Sequence, residues 1–141
     1  MNERQIEDMA TGLHAGAIRL LRMLRREDQA SGISAPRLSA LSVIVFAGPL
    51  SLAELAEAEQ VRAPTMSRLV DALVRAGLAT REPDPVNRRM VRIEATHEGV
   101  KLLEAGRQRR VRALTARLRR LAESEQRALA RAVELLERVT G

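Results

Sequence analysis

The chain has no cysteine, tryptophan or tyrosine, and its 141 residues include only one phenylalanine and two histidines. Without cysteine it can form neither disulfides nor thiolate metal sites, and a cysteine-based peroxide sensor is excluded. Two histidines and scattered carboxylates are also too few ligands to predict a metal-sensing site. We therefore expect no metal and no cofactor.

Motifs of catalysis and of membrane insertion are missing as well. The sequence contains no glycine-rich phosphate loop, no nucleophile elbow and no His/Cys cluster with metal-ligand spacing, so we do not expect an enzyme. The N-terminus is polar, and the most apolar run, Val43 to Leu50, is short and interrupted by Gly48-Pro49. Neither a signal peptide nor a membrane span is predicted, which favours a cytoplasmic protein.

What the chain does have is arginine. Basic residues number 24 against 18 acidic ones, a formal net charge of +6, and Lys101 is the only lysine. The charge is uneven, because residues 62–92 hold seven arginines and three acids, whereas residues 51–61 hold three glutamates and no cation. Arginine suits phosphates and base edges, so the basic stretch is where a polyanion would dock. The alternative is that these arginines only form a solvated surface, in a protein whose composition is biased toward arginine.

The apolar spacing predicts helices before this basic stretch. Residues three and four apart form one face from Ile6, and the first helix ends at about Asp28. A second helix, capped by Ser34, ends at Gly48-Pro49, and we expect its buried side to consist of Leu38, Leu41, Ile44, Val45 and Phe46.

A helix-turn-helix is predicted next. Ser51-Leu52-Ala53-Glu54 has the form of a capping box, and the helix that it starts extends to about Glu59. Another helix begins near Arg62 and is closed by Gly77, which adopts a left-handed conformation at low cost. Two helices joined by so short a turn are typical of this motif.

The second of these helices is the predicted recognition helix. If Met66, Leu69, Val70 and Leu73 face inward, small and cationic residues remain at its surface for phosphates and base edges. These candidate contacts are Arg62, Ala63, Pro64, Thr65, Ser67, Arg68 and Arg75. An ordinary surface helix is the alternative reading.

A basic hairpin follows. The runs Leu78 to Glu82 and Met90 to Ala95 are predicted strands, and Asp84-Pro85-Val86-Asn87-Arg88-Arg89 lies between them. We expect Arg88 or Arg89 to enter a DNA minor groove, while the other arginine pairs with Asp84 or grips a phosphate. Asp84 would act as a strut, and Arg81 and Arg92 would contact phosphates. A solvated turn with incidental arginines is the alternative.

Long helices complete the chain. Thr96 can cap a helix with Val100, Leu103, Val111, Leu114, Leu118 and Leu121 on its apolar side, and a last helix carries Leu129, Val133 and Leu136. We expect residues 1–30 and 100–141 to form a helical dimerisation region, intertwined in a single domain with a DNA-binding region at residues 34–99. Packing of the terminal helices within one chain is the alternative. The arginines of residues 107–120 fit the solvated flank of a dimerisation helix better than a second DNA contact.

The sequence also resembles a known family. The segment from Leu52 to Glu57, the run Pro64 to Leu73, the wing from Asp84 to Arg89 and Thr96-His97-Glu98-Gly99 are similar to the MarR family of winged-helix transcriptional regulators. The resemblance implies a mainly α fold with a small β-hairpin wing, in the order α1-α2-α3-α4-β-wing-β-α5-α6, and a homodimer. It also implies binding of double-stranded DNA and, in many members, release by a small aromatic or phenolic ligand.

Four positions depart from the family pattern. Asn87 stands where a second aspartate is usual, Arg62 where a Ser or Asp cap is frequent, Gln60 where a turn glycine is common, and Glu59 where a leucine is common. We expect a sequence-specific repressor that binds a pseudo-palindromic operator. A winged-helix protein that coats DNA or serves as a protein-interaction adaptor is the alternative.

Overall fold

The computed structural model describes all residues, 1–141. Six helices and three short strands follow one another as α1 (Glu3–Glu27), a 3-10 turn (Asp28–Ser31), α2 (Ala35–Ala47), β1 (Leu50–Ser51), α3 (Leu52–Ala58), α4 (Ala63–Arg75), β2 (Ala79–Pro83), β3 (Val91–Ala95), α5 (His97–Leu118) and α6 (Glu123–Thr140). The predicted order of helices around a β-hairpin is confirmed. The strand β1 was not predicted, because two residues carry no alternating pattern.

The three strands form one antiparallel sheet in the order β1-β3-β2. In the hairpin Ala79 pairs with Ala95 and Pro83 with Val91, while Leu50 of β1 pairs with Ile93 on the other side of β3. Pro83 is the last paired residue of β2, an edge strand, where a residue without a backbone N–H is tolerated. The wing loop therefore extends beyond the Pro83–Val91 pair.

The core lies under the helix-turn-helix. Leu41, Leu55, Met66, Val70 and Ile93 are completely buried and bring α2, α3, α4 and β3 together. Burying an aliphatic side chain of this size stabilises a fold by about 1.5–3 kcal/mol. The predicted inward face of α4 is confirmed, with Leu73 buried and Leu69 packed against the same core. This packing fixes which face of α4 is turned to solvent.

Local sequence signals fix the ends of these elements. The Ser51 hydroxyl accepts the Glu54 N–H at 3.1 Å, and the Glu54 carboxylate accepts the Ser51 N–H at 3.3 Å, so the predicted capping box is confirmed. Gly77 has a φ of 74°, as predicted for the residue that closes α4. The Thr96 hydroxyl accepts the Gly99 N–H at 3.1 Å and so caps α5.

Residue contacts divide the chain into two compact units, and residues 28–107 form the one described so far. The other unit consists of Met1–Glu27 and Gln108–Gly141. Neither α1 nor α6 contributes a buried residue to the chain. Their predicted apolar stripes are exposed, with Met9, Leu13 and Leu21 on α1 and Val133 on α6 between 47% and 57% accessible.

One prediction about a buried side chain is wrong. Phe46, expected on the buried side of α2, is 82% exposed, because it follows the buried Ile44 by two positions, about 200° around the helix, and so lies on the opposite side. No single helix is long and apolar enough to cross a membrane, and one bent pair, Glu3–Ser31 with Ala35–Ala47, meets that test only when both helices are taken together.

Candidate nucleic-acid interface

The N-terminus of α4 is open to solvent. Arg62 occupies the N-cap position with extended backbone and makes no side-chain capping hydrogen bond. Ala63 and Thr65 in the first turn are exposed, and Pro64 between them has no N–H. The backbone N–H groups of the first turn therefore point outward without a side-chain acceptor, and the helix dipole adds positive potential there. No acidic residue lies in this turn.

The rest of the outer face of α4 is polar and mainly cationic. Arg68 and Arg75 are exposed and form no ion pair, and Asp71 is the only acid on the helix. Ser67 is half-buried beside the sheet. Because small residues precede Arg68, the backbone of the first turn can approach a flat or grooved surface closely.

The wing loop is held in shape by Asp84. One oxygen of its carboxylate, Oδ1, accepts the backbone N–H groups of Val86 at 2.8 Å and Asn87 at 2.9 Å. The bond from Asn87 is the largest of the effects that hold the pKa of Asp84 below its ordinary value of 3.8. The bond from Val86 and the charge of Arg92 act in the same direction, while desolvation opposes them. The strut predicted for Asp84 is thus a pair of hydrogen bonds to the backbone.

Asn87 also holds the wing loop in shape. Its side-chain oxygen accepts the Arg89 N–H at 3.3 Å, and its backbone carbonyl accepts the Met90 N–H at 2.9 Å. The departure from the family pattern therefore leaves an acceptor at this position, because an amide oxygen can replace a carboxylate toward an N–H donor.

Arg88 and Arg89 extend from this loop as free cations. Both side chains are exposed, and neither forms an ion pair. The predicted pairing of one of them with Asp84 is not observed, because that carboxylate is occupied by backbone N–H groups. Val86, at the tip, is 97% exposed, so an apolar side chain stands beside the two charges.

Arg81 and Arg92 differ from the wing arginines, since both are already paired. The Arg81 guanidinium donates to the carbonyl of Ser67 at 3.1 Å and to its hydroxyl at 3.2 Å, and it lies 3.0 Å from a carboxylate oxygen of Asp71. Arg81 therefore joins β2 to the outer face of α4. Arg92 lies 3.1 Å from Glu94 on the same strand.

Only two of the predicted site residues described above contact each other through their side chains. Ser67 and Arg81 are in direct contact. Sequence reasoning missed Asp71, which fixes Arg81, and Asn87, which orders the loop. A signal for Asp71 existed, because it follows Ser67 by one helical turn and so lies on the same face of α4. No comparable signal pointed to Arg81 as its partner.

A small groove of about 210 Å³ lies beside the base of the wing. Its walls combine the first turn of α3 with both ends of the wing loop, and they are formed by Pro49, Leu50, Ser51, Glu54, Asp84, Met90, Val91 and Arg92. This volume is below the range of about 300–1,000 Å³ that small-molecule pockets usually have.

Two α-helices joined by a tight turn, with the second exposed and a basic hairpin tied to it, define a winged helix-turn-helix protein. The sequence model of the MarR family matches residues 33–91. An uncharacterised HTH-type transcriptional regulator of Mycobacterium bovis is 34% identical over 128 residues, which cover 91% of this chain and 90% of the relative. The chain belongs to the MarR family of HTH-type transcriptional regulators.

Solved structures agree with this assignment. A transcriptional regulator protein from Pseudomonas aeruginosa is 30% identical and superposes with a TM-score of 0.80, covering 99% of this chain and 97% of its own. A variant of S. aureus MepR, solved bound to an oligodeoxyribonucleotide, is 20% identical with a TM-score of 0.73 and shares the fold over 94% of this chain and 98% of its own.

Proposed function

We propose that the protein is a sequence-specific repressor that binds a pseudo-palindromic operator as a homodimer. The observation that carries the proposal is the joint presentation of two cationic elements. The open N-terminus of α4 and the free arginines of the wing belong to one compact unit, and Arg81 links the strand β2 to α4. A DNA duplex offers a major groove for a helix beside a minor groove for an arginine.

In this proposal α4 lies in the major groove. The N–H groups of its first turn and the Arg62 side chain contact phosphates, and Ala63 and Pro64 allow the close approach. Thr65, Ser67 and Arg68 address base edges or phosphates, with Arg68 suited to the O6 and N7 atoms of guanine. Arg75, at the end of the helix, contacts the backbone.

The wing provides the second contact. Arg88 or Arg89 enters the minor groove, whose negative potential favours a cation. Because Asp84 and Asn87 already order the loop, less conformational entropy is lost when the wing binds than a mobile loop would lose. Arg92, paired with Glu94, contacts a phosphate from the base of the hairpin.

The terminal helices support the homodimer. Ile6, Leu13 and Leu21 of α1 and Val133 and Val139 of α6 are all more than 40% exposed, and no residue of either helix is buried. Apolar stripes of this kind are normally covered, and a second copy of residues 1–30 and 100–141 would cover them symmetrically. Two copies then place their recognition helices about one helical turn, ~10 bp, apart.

Two further elements belong to the proposal. A small aromatic or phenolic ligand releases the operator, as the family resemblance implies. The protein acts in the cytoplasm, where its DNA is found, and it performs no catalysis.

The experiment begins with selection of binding sites from random duplexes by the purified protein. The selected site should be a pseudo-palindrome, and its affinity should fall steeply with salt because several phosphates are neutralised. Arg88→Ala and Arg89→Ala should each weaken binding, the inserted arginine by at least about tenfold, whereas Arg112→Ala, on the terminal unit, should leave it unchanged. Titration with a panel of phenolic acids tests release.

The results separate the candidate functions. Equal affinity for every duplex would replace the repressor by a DNA-coating protein, and no affinity for any duplex would favour a protein-interaction adaptor. If neither wing variant changes the affinity for the selected site, the assignment of the wing to the minor groove is wrong. A sedimentation measurement that finds only monomers would contradict the proposed homodimer.

A further inference from the structure

The net positive charge of the chain lies in the unit formed by Met1–Glu27 and Gln108–Gly141, here called the terminal unit. Residues 28–107 hold ten basic and ten acidic residues, whereas the terminal unit holds fourteen basic and eight acidic ones. The formal charge of +6 is therefore not carried by the unit that contains α4 and the wing. The terminal unit attracts polyanions by its own charge.

Three exposed arginines at the end of α5 form a dense part of this charge, here called the α5-end cluster. Arg117 lies in the last turn of α5, and Arg119 and Arg120 lie in the turn that follows. None of the three forms an ion pair. No acidic residue occurs between Glu104 and Glu123, so the cluster has no acid near it in sequence on its N-terminal side. Like charges at this spacing repel one another, and a bound anion would relieve that repulsion.

The acids that follow the cluster have other partners. The Glu123 carboxylate pairs with Arg127 one turn further along α6. The Glu125 carboxylate accepts the Ala122 N–H at 2.8 Å and so caps the start of α6. The positive charge of the cluster is therefore not balanced within its own turn.

The arginines are not needed to cap the end of α5 either. The side-chain amide of Gln126 donates to the carbonyl of Leu118 at 3.1 Å and to that of Leu121 at 3.3 Å. Backbone hydrogen bonds also hold the turn, because the Arg119 N–H donates to the carbonyl of Thr115 at 3.0 Å. The turn is thus ordered before any partner binds, which lowers the entropy that binding costs.

The chemistry of the cluster favours the phosphates of a DNA duplex. Guanidinium groups bind phosphate oxygens with two parallel hydrogen bonds. The cluster spans three residues of rise, about 5 Å, and a duplex carries one negative charge per about 1.7 Å of its axis, so several phosphates can face the three cations. Phe46 is the only aromatic residue of the chain and lies outside the terminal unit, which therefore offers no stacking platform for unpaired bases.

We propose that Arg117, Arg119 and Arg120 bind the phosphates of duplex DNA independently of its sequence, as a second DNA contact outside α4 and the wing. This contact adds to the affinity for every duplex and contributes nothing to the choice of operator. It goes beyond the proposed function, because it lies within the terminal unit and does not require an operator.

The test compares two double variants of the full-length protein that lose the same charge. Arg117→Gln/Arg120→Gln removes two cations of the cluster, and Arg127→Gln/Arg131→Gln removes two arginines of α6 that are paired with glutamates. Both are also made together with Arg88→Ala/Arg89→Ala, so that the wing does not mask the effect. Fluorescence anisotropy of a labelled duplex of random sequence gives the affinity at several salt concentrations, and circular dichroism checks the fold.

The two doubles should differ in the slope of log K against log salt. Each lost phosphate contact lowers the slope by about 0.9, so Arg117→Gln/Arg120→Gln should lower it by about 1.8 and weaken binding by about tenfold or more near 0.1 M salt. Arg127→Gln/Arg131→Gln should keep the wild-type slope. Arg117→Lys/Arg120→Lys should keep most of it, because an ammonium group also neutralises a phosphate.

Three results would overturn the proposal. The first is an equal effect of the two glutamine doubles on slope and affinity, which would reflect only the net charge. The second is a dimer that dissociates on sedimentation of Arg117→Gln/Arg120→Gln while its duplex affinity is unchanged, since a second copy would then cover the cluster. The third is a loss of binding to phosphatidylglycerol vesicles with unchanged duplex affinity. Because the probe is a random duplex, failure to select an operator would leave this comparison intact.

Discussion

Replacement of Arg81 by methionine tests whether this residue fixes the wing or contacts DNA. Sequence reasoning predicted a phosphate contact, whereas in the structure the guanidinium is bound to Ser67 and Asp71 of α4. Methionine keeps much of the aliphatic stem and removes the charge and all of the donors. A residue that joins β2 to α4 should affect both folding stability and DNA affinity, but not the number of neutralised phosphates.

The structure sets the size of the effect. The ion pair with Asp71 is only partly shielded, with side-chain exposures of 33% for Arg81 and 50% for Asp71, so it contributes about 0.2–1 kcal/mol. The hydrogen bonds from one nitrogen to the two oxygens of Ser67 add about 0.5–1.5 kcal/mol. We expect Arg81→Met to lower the free energy of unfolding by about 1–2 kcal/mol.

Two assays measure the effect. Urea unfolding of Arg81→Met, Asp71→Asn and the double variant gives the coupling between the two residues, which we expect to be about 0.5–1 kcal/mol. Fluorescence anisotropy of a labelled operator at several salt concentrations gives the slope of log K against log salt. For a residue that only positions the wing, this slope stays at its wild-type value while the affinity falls.

A phosphate contact would give the opposite pattern. Each neutralised phosphate contributes about 0.9 to the slope, so Arg81→Met would reduce the slope by about that amount and leave unfolding unchanged. Zero coupling with Asp71, together with a reduced slope, would refute the positioning role and restore the phosphate contact predicted from the sequence.

Other residues give sharper local tests. Gln60 has a φ of 54°, a left-handed conformation that costs a non-glycine residue about 1 kcal/mol, so Gln60→Gly should raise the midpoint of urea unfolding; a lower midpoint would contradict this. Gly99→Ala should be strongly destabilising, because the added Cβ would lie 2.3 Å from the carbonyl oxygen of Leu78. An unchanged Tm would contradict this, because it would mean that the backbone at Leu78 moves away without cost. The pKa of Asp84 is lowered in the folded protein, so its ionised form stabilises the wing fully above about 3.8 and loses that effect as pH falls through the lower folded value. The amide resonances of Val86 and Asn87 should accordingly shift below pH 4 in the wild type and remain constant there in Asp84→Asn.

Most of the fold was predictable because its signals are local. The capping box at Ser51, the glycine that closes α4 and the threonine before α5 each depend on a few neighbouring residues, and the structure confirms all three. The inward face of α4 followed from helical periodicity. The strand β1 has only two residues and exists because Leu50 pairs with Ile93, a partner more than 40 positions away that no local pattern identifies.

The candidate site was also predictable only in part. Arginine content and the order of residues in the wing predicted which cations of α4 and of the wing loop could contact DNA. Their states depend on neighbours in space, so Arg81 was expected to be free and is paired, and Arg88 and Arg89 are both free. Phe46 was expected on the buried side of α2 with Ile44, but it lies two positions further on, about 200° around the helix, and is exposed.

The sequence by itself determined a helix-turn-helix followed by a basic hairpin, because caps, periodicity and turn residues act over a few positions. Only the tertiary structure decided which arginines are available. Arg81 is bound to Ser67 and Asp71 of α4, whereas the wing arginines extend into solvent. The physical reason is that the state of a charge depends on the atoms within a few ångströms, and residues distant in the chain supply those atoms.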